Sequence, residues 1–331
     1  MNGKPGVIDL VVSPTGIRSS TIKGYADIEA KRPMAMDSLL WMASTGKTVT
    51  ALAFLTLVEE VKVSLDDELA DYLPHFKHLY RTEGSGDSSR IVPVKTPITF
   101  RHLLSHTAGL AWLPGFFQDH ELSYISLETQ SHVYAAAPLQ SEPGTTYCYS
   151  NAGFNIIGRV IEVLSNHSYE EFVRKRFFAP LAMADTTYHP TGKQLERLAK
   201  GYSYDRDARR WILHETTPQM SILPYGDQGK RHAECGGGLF STATDMAKFA
   251  QMIAARGALD GHRYLSHVFL REACKRQTPL TAETAYGLGC GTIGYVGHGG
   301  AWGTQMQVDL DKREGKLHLV QKAGPWPEDF E

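Results

Sequence analysis

Cysteine is scarce in this chain, with four residues in 331 (Cys148, Cys235, Cys274 and Cys290), and they are scattered. No Cys-x-x-Cys pair and no disulfide framework can be drawn from them, so buried free thiols are expected. Histidine is more plentiful, at fourteen residues, but no His-Glu-x-x-His or similar cluster occurs, and neither a metal nor any other cofactor is expected. Excess charge is also lacking. Thirty-four Lys and Arg against 36 Asp and Glu leave a formal charge of −2, which gives no basic footprint for nucleic acid. Apolar runs stop well short of a bilayer span. The start, Met1-Asn2-Gly3-Lys4-Pro5-Gly6, has no apolar signal core; as it stands the chain reads as cytoplasmic, or as periplasmic or secreted once a signal is removed. No internal repeat is visible.

What is present centres on Ser44-Thr45-Gly46-Lys47. Ser38 to Ala43 leads in as a strand or tight turn. Behind it, Val49, Ala51, Leu52, Ala53, Phe54, Leu55, Leu57 and Val58 are apolar on nearly every side, which predicts a helix buried all round and ending near Glu59-Glu60. Ser44 then falls at the N-terminus of that helix, where free backbone N–H groups favour negative charge. Lys47, three residues on, shares its face. A hydroxyl beside an amine makes a nucleophile with a proton acceptor. The bland alternative is that Ser44 merely caps the helix. Ser-x-x-Lys also occurs at Ser20-Thr21-Ile22-Lys23, in a strand-like stretch where positions three apart face opposite ways. Gly46-Lys47-Thr48 imitates a P-loop, but Trp41 stands where that loop needs glycine.

Elsewhere, Val7–Val12 and Ile17–Tyr25 read as a hairpin about Pro14-Thr15-Gly16. Ser64–Leu73 reads as a short amphipathic piece, Thr82–Arg90 as an exposed, mobile loop, and Thr99–Leu104 as a helix start. Ala111–Phe117 is an aromatic loop, either a lid on the core or a wall of a substrate pocket. Tyr149-Ser150-Asn151 precedes a helix whose apolar face is Phe154, Ile157, Val160, Ile161 and Leu164. Ser168 and Thr242 each begin a capping box, for helices reaching about Phe178 and Ala255. No elements are assigned to 185–232. Tyr286–Gly289, Gly303–Leu310 and Lys316–Gln321 are strand candidates. Strands at both ends and helices between predict an α+β fold: an antiparallel sheet built from both termini, flanked by helices, with a mostly helical insertion. The expected division is 1–60 plus 235–331 for the sheet domain, which carries Ser44 and the His298 turn. The remainder, 61–234, is the helical domain and carries Tyr149.

Three stretches recur in one order: Ser44-x-x-Lys47, Tyr149-x-Asn151, and Gly297-His298-Gly299-Gly300-Ala301-Trp302-Gly303. With Gly24-Tyr25-Ala26-Asp27, Leu65-Asp66-Asp67, His102-Leu103-Leu104-Ser105-His106-Thr107-Ala108-Gly109 and Gly238-Leu239-Phe240-Ser241-Thr242-Ala243, the chain resembles the serine β-lactamase-like superfamily, in its branch of class C β-lactamases, DD-peptidases and family VIII esterases. The resemblance implies that Ser44 is acylated, Lys47 helps remove its proton and Tyr149 is the general base. It implies that Asn151 contacts substrate or holds Lys47. The N–H groups of Ser44 and Ala301, with Gly300 and Trp302 beside them, would bind the oxyanion and substrate. Free Tyr and Lys titrate near 10, so a base working at neutral pH must be shifted by about three units.

This chain departs from that pattern in its third motif, where His298-Gly299-Gly300 replaces Lys-Thr-Gly. The carboxylate clamp of a β-lactamase is gone, and His298 is expected to hydrogen-bond Tyr149. The expected substrate is therefore a small neutral ester. D-Amino-acid peptidase or amidase action, weak β-lactamase action and a non-catalytic penicillin-binding-like module are the alternatives. Val61 stands where the family ends the catalytic helix with glycine. Terminal helices typical of the family are not seen, so one sheet face carrying half of Val7, Ile8, Leu10, Val11, Leu317, Leu319 and Val320 is expected to be bare. A homodimer, or reduced stability of a trimmed chain, would follow.

Overall fold

The computed structural model describes residues 3–112, 124–214 and 232–324. Strands β1 (Val7–Ser13) and β2 (Gly16–Lys23) form the expected hairpin near one terminus. Helices α1 (Gly46–Glu59), α2 (Asn151–Ser165) and α3 (Ala243–Ala254) follow, and β3 (Tyr295–Val296), β4 (Gln305–Asp309) and β5 (Glu314–Val320) close the chain. The five strands make one antiparallel sheet in the order β3-β4-β5-β1-β2. The two ends of the chain thus meet at its centre, with Val7 opposite Val320 and Leu10 opposite Leu317.

Alternation sends Ile8, Leu10, Val12, Met306, Val308, Leu317 and Leu319 to one face, where all are buried against α3. Gly315 brings sheet and helix together, since a Cβ there would lie 3.3 Å from that of Ala250. The opposite face is not the bare apolar patch expected. Asp9, Lys316 and Gln305 are exposed there, Asp9 pairs with His318 at 2.7 Å, and of the seven apolar residues Val7, Val11 and Val320 lie on that side, the first two half-buried and Val320 fully buried. Polar residues interleaved with the apolar ones occupy most of the outward positions. The ground for a homodimer on that face is therefore absent among the described residues.

Helix α1 is buried from Gly46 to Leu57, as its pattern predicts. Its polar side chains are satisfied internally: Thr48 Oγ1 donates to Gly289 O (2.9 Å) and Thr50 Oγ1 to Cys235 O (2.8 Å). Helix α2 buries Phe154, Ile157, Val160 and Ile161. Thr242 caps α3 through the N–H of Asp245, and Ser168 caps Tyr169–Val173, which continues as a wider turn through Arg174–Phe178.

Several local expectations are corrected. Thr82–Arg90 is not loop throughout; its ends belong to the strands Tyr80–Glu83 and Arg90–Pro93, which pair as a hairpin about an exposed connection, with Glu83 bound by Arg81 and Arg90 across its mouth. Ser64–Leu73 yields only one helical turn, Leu69–Tyr72, because Asp67 accepts the Ser64 N–H and holds the preceding residues in a turn. Tyr286–Gly289 is not a strand. Gly289 adopts φ 62° and packs on α1, where a Cβ would lie 2.5 Å from that of Ala51. Within 185–232, Tyr202–Asp205 pairs with Arg210–Leu213, and Lys322–Ala323 adds a parallel strand; residues 215–231 lie outside the described residues, as does most of the aromatic stretch after Trp112.

Helix α1 ends in a Schellman turn, with Lys62 N donating to Leu57 O (3.1 Å) and Val61 N to Val58 O (3.0 Å). The left-handed position is Val61, at φ 57° and 91% exposed. Strain without compensating burial costs on the order of 1–2 kcal/mol. Val61→Gly is therefore expected to raise the urea unfolding free energy by about 1 kcal/mol, less than the full strain because glycine loses more chain entropy. An unchanged or lower midpoint would show that the turn is unstrained.

Candidate active site

The site is assembled where a short strand pair meets the start of α1. Leu40–Trp41 pairs with Phe240–Ser241, and the Trp41 indole N–H donates to Gly237 O (2.6 Å). The chain then turns sharply: Ala43 is left-handed at φ 47°, and Ala43–Thr45 form a single tight turn leading into the helix. Thr304 clamps this turn, its Oγ1 donating to Met42 O (2.9 Å) and lying 3.1 Å from Thr45 Oγ1. Ser44 is not a helix cap. The α1 N-cap is Thr45, which makes no side-chain capping bond, and Ser44 points into the site.

The Ser44 hydroxyl lies 3.1 Å from Lys47 Nζ and accepts the Tyr149 hydroxyl proton at 2.8 Å. Lys47 has no solvent exposure. Its Nζ also reaches Asn151 Oδ1 and Gly236 O, both at 2.6 Å, and sits 4.8 Å from the Tyr149 ring centre. Asn151 therefore holds Lys47, one of the two roles anticipated. Its position is set by Ser150, whose Oγ caps α2 through Ala152 N (3.0 Å). Gly236 must be glycine, since a Cβ would come within 2.8 Å of Asn151 Oδ1.

Burial lowers the Lys47 amine to about 7, with the carboxylate of Glu234 working the other way. Burial pushes the Tyr149 phenol up to about 12, opposed by its bond to Ser44. At neutral pH the phenol therefore keeps its proton and the amine is partly free base. Glu234 is itself buried. Gly237 makes room for it: a Cβ there would lie 2.8 Å from its Oε2.

The turn after His298 is brought against the nucleophile turn. A side chain at Gly300 would collide with Thr304 Oγ1, and Ala301 is exposed at the surface of the site. Among the described residues neither the Ser44 nor the Ala301 N–H donates a hydrogen bond. Two expected roles do not match the geometry. His298 makes no hydrogen bond to Tyr149; the rings are 6.1 Å apart, and its Nδ1 instead meets Gly299 O at 2.5 Å. Trp302 does not line the site but is buried with Trp41, Ala43 and Phe240, 6.4 Å from the Trp41 ring. It supports the turn that carries Ser44. Two neighbours escape the sequence reading, Glu234 and His106, whose ring lies 4.3 Å from Tyr149; Trp112, in the aromatic loop read as a lid or pocket wall, stacks on Tyr149 at 5.7 Å. No group of residues able to hold a metal occurs among the described residues, and no described helix is long and apolar enough to cross a membrane.

A family model described as Beta-lactamase matches residues 2–331. The chain belongs to the Beta-lactamase family. It is 29% identical over 334 residues to Protein Rv1367c of Mycobacterium tuberculosis, covering 90% of this chain and 81% of that one. It is 28% identical over 243 residues to the lovastatin esterase of Penicillium rubens, covering 69% and 58%. Among solved structures, simvastatin synthase (LovD) from Aspergillus terreus superposes with a TM-score of 0.79 at 20% identity, covering 97% of this chain and 89% of that one. The chain thus shares its fold with a protein titled simvastatin synthase, and one of the relatives it matches is named an esterase.

Proposed function

We propose that this member of the Beta-lactamase family is a carboxylesterase that forms an acyl-enzyme on Ser44 and acts on small, neutral, short-chain esters. The observation that carries the reading is the placement of Ser44 Oγ between Lys47 Nζ and Tyr149 OH, at 3.1 and 2.8 Å. Lys47 has three polar contacts, of which Asn151 Oδ1 and Gly236 O can only accept. A neutral amine donates to those two and turns its lone pair to the Ser44 hydroxyl. Ser44 Oγ then attacks the ester carbonyl as its proton passes to Lys47, and the N–H groups of Ser44 and Ala301 receive the oxyanion. Tyr149, still protonated, donates to the departing alkoxide and is reprotonated through Lys47. Water attacks the acyl-enzyme by the reverse path. In this reading Lys47 rather than Tyr149 is the resting base, because burial lowers one group and raises the other.

The substrate class is argued from the charge carried by the third motif. His298 is lowered to about 4 by burial, with the Lys47 charge adding to it, so it is neutral where a β-lactamase has a cation. A charge-assisted contact to a substrate carboxylate is worth about 1.5–3 kcal/mol. Its loss removes the advantage of β-lactams over neutral esters. The relative named lovastatin esterase supports the esterase direction. Expected are kcat/KM values for short-chain nitrophenyl esters about ten- to a hundredfold above those for penicillins and cephalosporins. A β-lactam value equal to or above the ester value rejects the esterase reading, and faster turnover of D-amino-acid amides than of either assigns the site to the peptidase alternative.

A further inference from the structure

Around Tyr149, three buried polar side chains cluster whose ring atoms take no part in the proposed proton transfers. His106, Tyr286 and His298 are 3, 2 and 9% exposed, and His106 Nε2, the Tyr286 hydroxyl and His298 Nε2 have no hydrogen-bond partner. Their rings form one cluster: His106 to Tyr286 is 4.7 Å between centres and Tyr286 to His298 is 5.6 Å. The cluster packs on the Tyr149 ring, 4.3 Å from His106. A buried hydroxyl or imidazole left unbonded costs about 1–3 kcal/mol, so three in one place need an explanation.

The other nitrogen of each imidazole fixes its tautomer. His106 Nδ1 accepts the Ser150 N–H at 3.2 Å, so its proton is on Nε2. His298 Nδ1 lies 2.5 Å from Gly299 O, which can only accept, so its proton is on Nδ1 and Nε2 is a bare acceptor. Burial lowers both rings, keeping them neutral. The three atoms are therefore a donor, a hydroxyl that can do either, and an acceptor. They are complementary, yet none is within bonding distance of another. Gly291 packs directly on the His298 ring, where a Cβ would lie 3.3 Å from Cδ2 and 3.5 Å from Nε2.

We propose that one internal water joins His106 Nε2–H, the Tyr286 hydroxyl and His298 Nε2, and that His106 and Tyr286 are positioning residues which hold the Tyr149 ring and the His298 turn against Ser44. A water with three polar partners is the usual occupant of such a site, and a bridge of this kind is nearly as favourable as direct bonding. It ties together three segments distant in sequence: the His106 turn that also fixes Ser150, the loop at Tyr286, and the turn before Ala301.

Two measurements on the wild-type protein test the bridge without reference to turnover. Long-range 1H–15N spectra are expected to show His298 protonated on Nδ1 and His106 on Nε2 at neutral pH. A crystal structure is expected to show one water within about 3.2 Å of all three atoms. The opposite tautomer at His298, or a cage without a water, overturns the proposal whatever Ser44 does. The positioning role rests on the hydrolase reading and is tested by Tyr286→Phe. This variant is expected to lower kcat for a nitrophenyl ester about tenfold, with KM unchanged and the His298 Nε2 resonance shifted. Unchanged kcat, or an unchanged Nε2 resonance, removes Tyr286 from the role.

Discussion

Ser44→Ala is expected to lower kcat/KM for nitrophenyl esters by about 10⁴ to 10⁶, the loss typical of removing the nucleophile of a serine hydrolase. Stability should barely move. The Ser44 hydroxyl caps no helix; it bonds to Lys47 and Tyr149, and the expected change in unfolding free energy is below about 1 kcal/mol. The control lies in the same sequence pattern. Ser20 precedes Lys23 by three residues just as Ser44 precedes Lys47, but Ser20 is exposed on β2. Ser20→Ala is expected to keep full activity. Equal losses in both variants, measured alongside thermal unfolding, would mean that the pattern and not the site had been read.

Lys47→Met is expected to cost about 10² to 10⁴ in kcat/KM, the contribution of a positioned general base. Its pH dependence is the more telling result. With the amine lowered to about 7, wild-type activity should fall about tenfold per pH unit below that value, as the lone pair facing Ser44 is protonated. The limb should vanish in Lys47→Met. Tyr149, raised to about 12, cannot supply a limb at neutral pH. A limb near 7 that persists in Lys47→Met would assign the resting base elsewhere. Thermal unfolding should find the variant folded, because Met fills the buried space of the side chain without its desolvation cost.

The parts of the site that could be read from sequence are those set by local rules. Ser44 and Lys47 lie on one short helical stretch, so spacing alone brings them together. Tyr149 and Asn151 sit at the mouth of α2, whose apolar periodicity marks where the helix must begin. The sheet could be read because β1 and β5 alternate at the two ends of the chain. His106 could not be placed: it meets the Tyr149 loop through Ser150, 44 residues away, by a contact that leaves no periodic trace. Glu234 precedes a glycine run and looks like an ordinary turn residue, though folding places its charge near Lys47. Trp302 reads as a substrate-side residue because it adjoins Ala301. A glycine-rich turn gives no periodicity from which to infer a face, and packing against Trp41 and Phe240 turns the indole inward. Tyr286–Gly289 reads as a strand for a similar reason, whereas Gly289 is left-handed against α1.

The central claim is covalent chemistry at one hydroxyl, and intact mass spectrometry with peptide mapping after treatment with a fluorophosphonate tests it most directly. The expected result is a single phosphonyl adduct mapped to Ser44, loss of esterase activity in proportion to labelling, and no adduct on Ser44→Ala. An adduct on another residue, or an unlabelled enzyme that still hydrolyses esters, would contradict the account.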